Sequence, residues 1–160
     1  LILVTLVLGI AGFAMAFTDP FIGNAIYQGP YVLSFSDVYF SNGIVKTYLP
    51  GFIAFIMILI SGLIPLLLFV LQDKAVRIFV NIASIIFFAI GGIVVLDIPN
   101  QFVYHIQSAA GTATLVQFGL KLSPTLLIAS IFAFIGIALN LAMIIIDNLD
   151  FIKTKLKLNK

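Results

Sequence analysis

Four long apolar stretches dominate this chain of 160 residues, at about 1–18, 50–71, 75–96 and 124–146. The one charged residue inside them, Arg77, stands at the edge of the third and belongs with the basic link before it. Each stretch is close to the ~20 residues an α-helix needs to cross the hydrocarbon core of a bilayer. Backbone polar groups find no water there, and a helix satisfies them internally. Charged residues make up 9% of the chain, against about 25% in soluble domains, so the apolar stretches are not the core of a soluble protein. The expected fold is an all-α membrane protein, a single domain over 1–160. It is expected to be a four-transmembrane-helix bundle with outer loops at about 19–49 and 97–123 and a tail at 147–160.

The basic residues set the expected orientation. The link Gln72–Arg77 holds Lys74 and Arg77, and the tail holds Lys153, Lys155, Lys157 and Lys160. These are six of the eight Lys and Arg; the long loops hold one each, Lys46 and Lys121. Cytoplasmic loops carry the excess of Lys and Arg, which puts link, tail and both termini in the cytoplasm. The tail alternates apolar and basic residues from Phe151 to Leu158. Its lysines are expected to contact an anionic inner leaflet, at about 1 kcal/mol each. The solvated alternative is an ordinary stop-transfer tail. The first stretch ends Ala14-Met15-Ala16, a small-x-small pattern of the kind that signal peptidase cleaves, but no basic segment precedes it, so a retained helix is expected.

Helices in lipid associate through close packing of small residues and through interhelical hydrogen bonds. Gly9, Gly12 and Ala16 supply such a face in the first stretch, and Ala129 and Ala133 in the fourth. Pro65 is expected to kink the second helix, because it lacks a backbone donor and clashes one turn back. Asn81 and Asn140 are the only asparagines well inside the spans, and Thr5 lies at a similar depth. These three are expected to form one polar layer, with Asn81 bonded to Asn140 across helices. The functional alternative for such a layer is a gate or a solute site.

The outer loops carry β signals. Tyr31–Phe40 is rich in β-formers, and Asn42-Gly43 separates it from Ile44–Leu49. Asn-Gly between two such runs is the strongest short hairpin signal. Asn24–Gln28 and Thr112–Phe118 are further strand candidates. A lone hairpin is marginal in water, so the two loops are expected to build one small β-sheet cap. The two halves also share an order of features. Asp19-Pro20 and Asp97-Ile98-Pro99 stand at helix exits, and Lys46 and Lys121 precede Pro50 and Pro124 at the returns. A repeat about an axis along the membrane normal would produce this order, and so would the ordinary frequency of these residues at helix ends.

Four helices with inner termini and a sheet drawn from two outer loops resemble the claudin-like tetraspans. The resemblance spans the whole chain as architecture and implies an adhesive or lateral-assembly role. The family's outer-loop Trp, its Gly-Leu-Trp and its two cysteines have no counterpart in a chain without Trp or Cys, so no functional residue carries over.

No catalytic, cofactor-binding or metal-binding residue is expected. His105 is the only histidine, which leaves no pair for a bis-His haem. Asp19, Asp37, Asp97 and His105 match no metal-loop spacing. The expected function is that of a non-enzymatic membrane subunit whose partners are the bilayer and other membrane subunits or copies of itself. A net charge of +2 gives no reason to expect nucleic acid. A channel or small-solute transporter, with a path along Thr5, Ser61, Asn81, Ser84 and Asn140, is the alternative. An accessory subunit of a membrane redox enzyme is a third.

Overall fold

The computed structural model describes residues 1–18, 21–25, 29–33, 49–102, 107–108, 111–112 and 120–158, with side chains described for 1–18, 49–98 and 123–149. Helix α1 (Ile2–Ala14) continues into a 3₁₀ turn (Met15–Phe17). Helix α2 (Leu49–Leu63) continues into a second 3₁₀ segment (Ile64–Phe69). Helices α3 (Lys74–Phe102) and α4 (Pro124–Leu158) complete the bundle. The helices form a ring in which α1 packs on α2 and α4, and α3 packs on the same two neighbours.

Local chemistry starts the two long helices. Asp73 caps α3, its Oδ1 accepting from the backbone N–H groups of Ala75 at 2.8 Å and Val76 at 3.1 Å. An N-cap carboxylate satisfies orphan donors and also meets the positive end of the helix dipole. Helix α4 opens with Pro124 in its first turn, where a missing N–H costs nothing. The preceding Ser123 is bonded to Thr125. Thr18 at the end of α1 shares a 2.8 Å hydroxyl bond with the same Thr125, which ties the two helix ends together.

Two expectations about the fold are corrected. Three helical segments are long and apolar enough to cross a membrane, Leu49–Phe69, Lys74–Ile98 and Pro124–Leu149. The first apolar helix, Ile2–Phe17, is shorter. Its 13 α-helical and 3 3₁₀ residues rise roughly 25 Å, less than the ~30 Å hydrocarbon thickness. The expected four spans are thus three and a shorter helix.

The β-sheet cap is the second correction. Of the residues whose side chains are described, 93% are helical and none lies in a strand, so the fold is a helical bundle. Extended backbone occurs in short strands that overlap the expected ones only in part, at 24–25, 31–33 and 112. β1 (Phe21–Ala25) pairs antiparallel with β2 (Gly29–Leu33) and with β5 (Leu120–Leu122). β3 (Gln107–Ser108) pairs with β4 (Gly111–Thr112). The expected hairpin turn at Asn42 and Gly43 lies outside the described residues. β-propensity and an Asn-Gly pair are local signals, whereas strand pairing is decided by which segments meet.

The helix limits also differ from those expected. α3 runs through Asp97 and Pro99 to Phe102, so the chain does not leave the helix where the proposed repeat required. α4 runs through the expected tail to Leu158, 35 residues in all. Alternation of period two in 151–158 does not prevent a helix from propagating once packing has nucleated it.

Candidate functional site

The interior is closed by close approaches between small residues. A Cβ built on Gly9 would lie 2.7 Å from the Gly62 Cα, and one on Gly62 would lie 2.8 Å from the Gly9 Cα. The crossing of α1 and α2 therefore brings backbone against backbone. Gly12 faces Ile58, and Gly92 faces Ala133. Ala16, Ala129 and Ala133 are buried in the main apolar cluster with Phe55, Ile58 and Phe88. The small residues noted in the sequence thus lie inside the bundle. Gly62, central to the tightest crossing, is not among the small residues singled out from the sequence.

Below this cluster the interior turns polar. Thr5, Ser61, Asn81, Ser84 and Asn140 are all fully buried, and every helix contributes at least one of them. Pro65 accounts for one link. The residue at position 65 of a regular helix would donate its N–H to the Ser61 carbonyl, and proline has none to give. The Ser84 hydroxyl of α3 donates to that carbonyl instead, at 2.7 Å. Re-satisfaction of a proline-freed carbonyl by a neighbouring hydroxyl is how such helices persist in lipid. The backbone tightens to 3₁₀ winding at Ile64, just before the proline.

The other hydroxyls turn back on their own helices. Thr5 donates to the Ile2 carbonyl and Ser61 to the Ile58 carbonyl, both at 2.7 Å. The expected bond between Asn81 and Asn140 is not made. The Asn81 Nδ2 donates to the Arg77 carbonyl at 3.1 Å, and the Asn140 Nδ2 donates to the Gly136 carbonyl at 2.8 Å. Each amide takes the acceptor one turn back on its own helix, the nearest one that needs no adjustment between helices. Both Oδ1 atoms are left buried with no hydrogen-bond partner in the protein. An acceptor stranded this way costs about 1–3 kcal/mol.

An ion pair stands one turn from Asn81. The Arg77 Nε donates to Asp147 at 3.1 Å, and both side chains are about a quarter exposed. The Arg77 Nη1 also donates to the carbonyls of Leu68 at 2.8 Å and Leu71 at 3.2 Å. One guanidinium therefore holds the end of the α2 segment, the start of α3 and α4 at Asp147. The sequence reading missed this. Its signal was a lone Arg one turn into one helix and an Asp at the matching end of the antiparallel helix beside it.

Beside the ion pair lies a cleft of about 410 Å³, lined by Leu1, Ile2, Leu3, Leu68, Phe69, Arg77, Met143, Ile146 and Asp147. Leu68 and Met143 also belong to a buried cluster with Val80. Val80 directly precedes Asn81, and Met143 follows Asn140 by less than a turn, so this apolar plug separates cleft from polar layer.

Among the remaining site expectations, Lys153, Lys155 and Lys157 lie on the helical extension of α4, and Lys160 lies outside the described residues. Asn42, Gly43, Asp19, Asp37 and His105 lie outside them too. Comparison with protein-family models, with curated proteins and with solved structures finds no match.

Proposed function

We propose that this chain is a non-enzymatic integral membrane subunit that acts through its outer surface within a larger membrane assembly. The observation that carries the reading is the division of labour between inner and outer faces. The small residues that let helices approach closely are spent inside the bundle. The outward faces carry large apolar residues at heptad spacing, such as Leu3, Ile10 and Phe17 on the first helix and Phe79, Ile86 and Ile93 on α3. Such faces suit lipid tails and the apolar helices of other subunits equally well, with no polar group to satisfy. Affinity purification from native membranes in mild detergent, followed by mass determination, tests the reading. A monodisperse monomer with no companion chain would refute it.

In this proposal the link before α3 and the end of α4 face the cytoplasm, supported by their six Lys and Arg. Lys153, Lys155 and Lys157 then meet the inner leaflet along a helix. The claudin-like version of the reading adds contacts between copies through the outer loops. A channel or small-solute transporter is the second reading, favoured by one observation: Thr5, Ser61, Asn81, Ser84 and Asn140 are all buried within the bundle. Solute flux into liposomes containing the purified chain would promote it over the first.

A further inference from the structure

The register of α3 against α4 brings the two unpartnered asparagine oxygens into one interval of one interface. Toward the inner end, Arg77 of α3 is paired with Asp147 of α4. Toward the outer end, Gly136 of α4 abuts the Phe88 ring, so closely that a Cβ there would lie 2.6 Å from it. Asn81 lies between Arg77 and Phe88, and Asn140 lies between Gly136 and Asp147. Carrying the antiparallel register inward from either contact sets Ser84 opposite Asn140 and Met143 opposite Asn81. The two asparagines are then offset by three residues, ~4.5 Å along the axis. Both side chains are fully buried. Neither a lipid nor a neighbouring subunit can reach their oxygens, so any partner must sit inside the bundle.

We infer that Asn81 and Asn140 form an internal hydration site, in which one water donates a hydrogen bond to each Oδ1 and bridges α3 to α4. The chemistry selects the ligand. Both orphan atoms are acceptors, so the ligand must donate at least twice. A water with two bonds of ~2.8 Å links acceptors ~4.5 Å apart, the size of the axial offset. A buried water that joins otherwise unsatisfied polar groups is a regular part of protein interiors. A monovalent cation would also satisfy two oxygens, but it would bring an unpaired charge into a region of neutral groups. The nearest described carboxylate, Asp147, is already engaged by Arg77.

The two amides do not bond each other directly, so a bridge between them would show as energetic coupling. The test is a double-mutant cycle on the full chain in mild detergent, with Asn81→Leu, Asn140→Leu and the pair, each titrated into SDS and followed by circular dichroism. The bridge predicts that the combined change in the unfolding constant departs roughly threefold or more from the product of the single changes. Additive effects would overturn the site. If a leucine variant does not fold, Asn→Ala at the same position takes its place in the cycle. An experimental structure at high resolution is expected to place density within ~3 Å of both Oδ1 atoms. A direct Asn81–Asn140 bond, or no density at either oxygen, would overturn the water. Repeating the titrations in lithium, sodium and choline chloride should leave the coupling unchanged, and dependence on the cation would make the ligand an ion instead.

Discussion

At the scale of single residues, the interior is governed by what each position can tolerate in volume and in hydrogen bonding. Gly62 gives the cleanest case, because the atom a new Cβ would meet is the Gly9 Cα at 2.8 Å, with the Thr5 carbonyl at 2.9 Å. Backbone cannot swing aside as a flexible side chain can. Gly62→Ala should therefore force α1 and α2 apart and destabilise the bundle by about 1–3 kcal/mol, the usual cost of overpacking. Leu67→Ala is the control, since Leu67 is more than half exposed on the outer face of the same segment. Unfolding in SDS titrations should shift clearly for Gly62→Ala and little for Leu67→Ala. Equal shifts would mean that backbone contact at Gly62 does not limit the crossing of α1 and α2. Much of this was legible in the sequence as a type of residue: Gly9, Gly12, Ala129 and Ala133 stood out by size and spacing. Which neighbour each would meet was not legible, because a small-residue pattern says that helices approach closely and is silent on which helix does so.

At the scale of elements, the junction of α2 and α3 is organised by one missing donor and one supplied cation. Ser84 donates to the Ser61 carbonyl because Pro65 cannot. Ser84→Ala should cost about 0.6 kcal/mol and at most about 1.7 kcal/mol, the mean and the maximum measured for interhelical bonds in lipid. In a Pro65→Ala background the backbone N–H at position 65 returns and competes for the same carbonyl, so the cost of Ser84→Ala should shrink toward zero. An unchanged cost in that background would show that Ser84 matters for some other reason. The same SDS titration compares Arg77→Gln with Asp147→Asn. A partly exposed ion pair contributes little by itself, ~0.2–1 kcal/mol. Arg77 additionally holds the Leu68 and Leu71 carbonyls, so Arg77→Gln should destabilise more than Asp147→Asn. Sequence reading located Pro65 and the polar residues because both are conspicuous in an apolar run. It missed their partners because a hydroxyl can answer to any carbonyl within reach, and an asparagine amide to its own helix as readily as to a neighbour. The extended segments were located only in part: β2 covers 31–33 of the expected run, and the partners of β1 are 29–33 and 120–122, which strand propensity alone does not choose.

At the scale of the whole molecule, the arrangement of ends is a property of the fold, and the side of the membrane is a property of charge. The two can be tested separately. The Arg77–Asp147 pair fixes the start of α3 and the inner part of α4 at one end of the bundle, and Leu1–Leu3 line the cleft at that same end. Positions 74 and 157 should therefore report from one side whatever the orientation. In the proposed orientation, the excess of Lys and Arg puts that side in the cytoplasm. The chain has no cysteine, so single substitutions Asn42→Cys, Lys74→Cys and Lys157→Cys give an unambiguous readout. In intact cells, an impermeant thiol reagent should modify position 42 and spare 74 and 157, which should react only after permeabilisation. Labelling of 74 and 157 without 42 would invert the protein and leave the bundle intact. Opposite behaviour of 74 and 157 would be the more damaging result, because it would place the two ends of one ion pair on different sides of the membrane and dismantle the inner end of the fold.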